Sequence, residues 1–82
     1  MASVRAPAPR RADARPSDFD HLAFACDSMG DLPAALGAAR AGIAKFPDSA
    51  VLHDTAGIAA ATLGDVEAGY GLLLRAERLG GA

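Results

Sequence analysis

The chain has 82 residues, a single Cys, no Trp and a formal charge of −2. A domain this short buries only roughly 60–65 % of its unfolded surface. One Cys excludes an internal disulfide and a paired-cysteine metal site, and no apolar run reaches the roughly 18 residues that span a bilayer. Alanine supplies 21 residues against Phe 3 and Tyr 1, so the core must come from close approach of backbones, which favours helices packed through small residues.

Residues 1–16 hold Arg5, Arg10, Arg11 and Arg15 together with Pro7, Pro9 and Pro16, without periodic apolar positions. This composition predicts a disordered tail. The asymmetry of charge is marked: residues 1–17 carry +3, four arginines against Asp13, which leaves −5 for the rest. No apolar stretch follows Arg10 and Arg11, as a Sec or twin-arginine export signal needs, and the prolines and Asp13 oppose a transit-peptide helix. The expected location is cytoplasmic. Nucleic acid is disfavoured as a partner because the body behind the arginines is acidic. Heavy use of Ala, Arg, Gly and Asp, with one Lys and no Asn or Gln, points to a GC-rich bacterial genome.

A first helix is expected from Ser17, with Asp20 completing a capping box and Asp18 favouring the positive helix end. Phe19, Leu22, Ala23, Cys26 and Met29 form its apolar stripe. Gly30 can end it in a left-handed conformation and Asp31 can cap a second helix, where Pro33 is tolerated in the first turn. The second stripe is Leu32, Ala35, Leu36, Ala39, Ile43 and Phe46, closed by Pro47. Asp48 or Ser49 starts a third helix that runs to Leu63. Gly64 breaks it, and Asp65 caps a fourth helix from Val66 to about Leu79, ended by Gly80 and Gly81. No strand signal competes.

The two halves repeat at a spacing of 34. Met29-Gly30-Asp31-Leu32 returns as Leu63-Gly64-Asp65-Val66, Ala23 as Gly57, Ala35 as Gly69 and Gly42 as Ala76. Period, helix–turn–helix units, Gly-Asp turns and Pro47 together resemble the tetratricopeptide repeat family over about residues 16–82. The resemblance implies an all-α fold of two helix–turn–helix repeats, four antiparallel helices in a short right-handed α-solenoid, with repeats at 17–49 and 50–82. It assigns Ala35 and Gly69, faced by Ala23 and Gly57, to the helix crossings, where a small side chain lets axes approach to about 8 Å. Leu36 and Tyr70 match the bulky residue that follows. His53 and Gly81 depart from the family pattern, standing where an aromatic and a closing proline are expected.

Catalytic chemistry finds little support. His21 and Cys26 point to different sides of one helix and do not converge on a metal. Cys26 and His53 read as packing residues, and the aspartates as caps or solvated groups. The expectation is a non-enzyme without cofactor or metal. In the resembling family the first helices line a groove that holds a partner segment. Here that stripe comprises Ser17, Asp20, Phe24, Asp27 and Ser28, then Val51, Asp54, Ile58, Ala61 and Thr62. It lacks the Lys, Arg and Asn that clamp a terminal carboxylate in some family members, and combines Phe24 and Ile58 with three aspartates. The expected partner is another protein or a peptide segment with apolar anchors and basic neighbours. A structural or oligomerisation appendage of a longer enzyme or complex is the alternative. The last helix, with Leu72, Leu74 and Leu79 off the stripe of Val66, Gly69, Tyr70, Leu73 and Ala76, is apolar nearly all round, and predicts a homodimer through it.

Overall fold

Each helix begins where a carboxylate or hydroxyl can take a free backbone N–H. The computed structural model describes residues 14–80 and places four helices: α1 (Pro16–Ser28), α2 (Leu32–Lys45), α3 (Ala50–Thr62) and α4 (Val66–Gly80). The chain is all-α, with no strand among the described residues. The tail expected over residues 1–16 lies outside the described residues as far as residue 13, as do Gly81 and Ala82; Pro16 already opens α1.

Three caps fall where their residue types predict. The Ala34 N–H donates to Asp31 Oδ1 at 3.1 Å, the Ala68 N–H to Asp65 Oδ1 at 3.1 Å, and the Leu52 N–H to Ser49 Oγ at 3.2 Å. The first helix differs. Pro16, whose fixed φ suits a first helical position, starts α1 two residues earlier than a cap at Ser17 would and leaves Ser17 inside it. Arg15 becomes the cap position, and its N–H donates to Asp18 Oδ2 at 2.8 Å. Asp20 is then free for a contact across helices.

The spacing of 34 holds in the backbone itself. Both ends of α1 and α3 are that far apart, and the two hairpin turns share their hydrogen bonds. The Asp31 N–H donates to the Cys26 carbonyl at 2.9 Å and the Asp65 N–H to the Ala60 carbonyl at 3.0 Å. Gly30 and Gly64 take φ of 80° and 104° in these turns, a region that side chains with a Cβ rarely enter.

Packing follows chain order. The helices pack as α1 on α2, α2 on α3 and α3 on α4; α1 also touches α3, and α4 touches α3 alone. A closed four-helix bundle would return α4 to α1. The open stack, with extents of 44 × 27 × 16 Å, is compatible with a short solenoid. Its core is thin, as the composition requires: Phe19, Leu52 and seven alanines are buried, and Leu52 is the one large side chain fully enclosed. Phe19 meets Phe46 edge-on at 6.1 Å between ring centres. His53 is more deeply buried than a residue at the edge of the packing would be, at 6 % exposure. Its Nδ1 lies 2.8 Å from the Ser49 carbonyl, an acceptor, so this nitrogen carries the proton.

The stripes need two corrections. Met29, expected on the core face of α1, is 82 % exposed, and Cys26 is half-buried. On α4 the buried side runs through Gly69 and Ala76 with Leu72 and Leu73 half-buried beside them, while Val66 and Tyr70 are each 68 % exposed. Gly69 sets this rotation. A Cβ built there would lie 2.8 Å from Ala61 Cβ and 2.9 Å from the Gly57 carbonyl, so the bare backbone faces α3 and residues at helical spacing from it follow.

Candidate interaction cleft

α1 and α3 lie side by side, and between them a cleft of about 310 Å³ opens over the first turn of α2. Ala23, Ala35 and Ala59 form its floor because their small side chains let the three helices approach. Phe24 of α1 and Ile58 of α3, residues 34 apart, stand on opposite sides, 69 % and 55 % exposed. Both side chains present apolar surface that none of the four described helices covers.

The ionisable groups lining the cleft are Asp20 and Asp27, both acidic. Thr55 Oγ1 donates to Asp20 Oδ1 at 2.6 Å, a bond that ties α1 to α3 and holds one carboxylate oxygen in place. Asp27 is exposed. A segment entering here meets two apolar contacts beside negative charge.

Of the residues expected on the groove, the cleft brings together Asp20, Phe24, Asp27, Ile58 and Thr62. It does not include Val51, Asp54 or Ala61. Val51 and Asp54 line a separate shallow depression with Leu73, Ala76, Glu77 and Gly80 of α4. Ala61 faces Gly69 at the α3–α4 crossing. A single stripe cannot describe α3, which packs against α1, α2 and α4, whereas α1 meets α2 and α3. Ser17 and Ser28 are exposed and lie outside the cleft. Thr55 and Leu32 were missed as cleft residues. A hydroxyl one position along from the counterpart of Asp20 was the available signal for Thr55.

The residues expected to mediate self-association do not form one exposed patch. Leu72 and Leu79 are half-buried, and Leu74 alone is exposed. The exposed apolar row of α4 is instead Val66, Tyr70 and Leu74, one helical turn apart. Among the described residues no group of three or more His, Cys, Asp or Glu side chains is placed to hold a metal ion, and no helix is long and apolar enough to cross a membrane. No protein-family model, curated protein or solved structure matches the chain.

Proposed function

We propose that this protein is a cytoplasmic protein–protein interaction module, a small adaptor or scaffold of the tetratricopeptide kind, that holds a partner segment in the α1–α3 cleft. The observation that carries this reading is the pairing of exposed Phe24 and Ile58 across a cleft whose charged groups are both aspartates. Apolar anchors give such a contact its affinity, and Lys or Arg beside them give it orientation and speed of encounter. The period of 34 and the open stacking of hairpins support the likeness to the family and its solenoid arrangement. The reading is non-enzymatic.

The test compares wild type with a Phe24→Asp, Ile58→Asp variant on an array of peptides that carry an apolar anchor flanked by basic or by acidic residues. Binding of the basic set is expected to fall by about tenfold or more in the variant, corresponding to at least about 1.4 kcal/mol. Circular dichroism should be unchanged, since both side chains are already exposed. Equal binding of acidic peptides, or an unfolded variant, would sink the reading.

The row Val66, Tyr70 and Leu74 favours a second reading, in which the chain associates with its own copy through α4 as an oligomerisation element. Sedimentation at micromolar concentration should then show a dimer that Leu74→Glu dissociates. A wild type that stays monomeric rules this out.

A further inference from the structure

Positions 34 apart take corresponding places in the two hairpins, so the surface of the first hairpin that receives α3 has a counterpart on the second. In the first, Thr55 of α3 bonds Asp20, and Leu52 of α3 sits over Gly42. Ala39 is completely buried there, and Ile43 and Phe46 are half-buried. In the second, the counterparts are less covered: Asp54, Glu77 and Gly80 are exposed and Leu73 is half-buried. With Val51 and Ala76 these four residues line one shallow depression between α3 and α4. The depression stands where a helix stands on the first hairpin.

We infer that this depression is a docking site for one amphipathic helix of a partner protein, seated on the second hairpin as α3 is seated on the first. The substitutions between the repeats specify the occupant. A Cβ on Gly42 would lie 2.7 Å from Leu52 Cδ1, so a leucine knob fits only over glycine. Ala76 stands at that place in the second hairpin, and the docking helix therefore brings Ala, Ser or Gly where α3 has Leu52. Asp54 replaces Asp20 and asks for a donor, a hydroxyl or a cation, three residues further along. Glu77 replaces Ile43 and asks for a Lys or Arg nearby. The ionisable groups lining the depression are Asp54 and Glu77, so its charge complements a basic helix.

A second copy of this chain fits the site poorly. Its α1 is the segment corresponding to α3, and it would bring Asp18 over Ala76 into a depression whose ionisable groups are Asp54 and Glu77, with only His21, at the place of Thr55, to face Asp54. Two copies joined face to face would oppose the same acids across the two-fold axis.

The site is distinct from the α1–α3 cleft, and the experiment keeps the two apart. The probe is an end-capped peptide of residues 47–64 of this chain carrying Leu52→Ala and Thr55→Lys, titrated into isotope-labelled protein. Amide shifts are expected at Asp54, Leu73 and Glu77, with affinity lowered about tenfold by Asp54→Lys, which opposes the probe's lysine, and unchanged by Phe24→Asp. The same peptide retaining Leu52 should bind about tenfold more weakly, because its side chain meets Ala76. Absence of shifts at millimolar peptide overturns the proposal. So do shifts confined to the Phe24 and Ile58 cleft, or sedimentation showing a dimer that Glu77→Lys dissociates, since a second copy would then cover the face.

Discussion

The two hairpins share their turns and the aspartate caps of their second helices but place their tightest contact differently. In the first it lies at Gly42, where an added Cβ would meet Leu52 Cδ1 and Phe19 Cβ, each at 2.7 Å. In the second it lies where Gly57 and Gly69 cross, and the neighbours include backbone: the Gly57 carbonyl and the Ala61 nitrogen, each 2.9 Å from a Cβ on Gly69. The corresponding pair in the first hairpin is Ala23 and Ala35, both buried with their methyl groups accommodated. A repeat thus keeps its backbone while moving its close contact from one pair of helices to another. The ends of the stack differ as well. The outer side of α1 carries exposed His21 and half-buried Asp18, whereas the far side of α3 and α4 exposes Val51 beside half-buried Leu73. Terminal repeats of such stacks ordinarily present polar surface.

The largest effect is expected where the hairpins meet. Leu52→Ala removes the one large, fully enclosed side chain and should cost about 2–5 kcal/mol in urea unfolding. A loss below about 1 kcal/mol would show that the contact over Gly42 does not hold the hairpins together.

The contrast between the two crossings gives the next test. Gly69→Ala should cost about 1–3 kcal/mol, because its closest neighbours are backbone and a short side chain that cannot swing away. The reciprocal Ala35→Gly should cost about 1 kcal/mol, the ordinary difference between these residues in a helix. Thermal unfolding of both variants decides it, and equal losses would mean that the crossings are equally close.

The smallest effect has the opposite sign. Gly37 and Gly71, again 34 apart, sit in helix interiors where an added Cβ would meet nothing within 4 Å beyond the helix's own adjoining backbone and the two chain neighbours. Replacing either by Ala should stabilise the protein by about 0.5–1 kcal/mol through helix propensity and a less flexible unfolded chain. A destabilised Gly71→Ala alone would reveal a surface packed against that side of α4.

The legible parts of this fold were those decided within a few residues. Asp31, Ser49 and Asp65 cap because a short acceptor side chain reaches the N–H three positions on. Gly30 and Gly64 turn the chain because they lack the Cβ that opposes positive φ. Ser17 misled for an equally local reason, since Pro16 and Asp18 compete for the same helix start and prevail. The cleft was legible in half. The stripe that the family resemblance implies contains the cleft residues Asp20, Phe24, Asp27, Ile58 and Thr62, but Val51, Asp54 and Ala61 belong to other surfaces that a stripe along one helix could not separate.

Sequence alone therefore determined four helices, their breaks and the period of 34, because capping, helical spacing and glycine conformation act over distances the chain order already sets. Only the tertiary structure decided which side of each helix is covered. Asp20 meets Thr55 across 35 residues, and Ala61 meets Gly69 across a helix crossing. Such contacts depend on how closely two backbones approach, and that distance is set by small side chains on both partners at once. A stripe read along one helix carries no record of it.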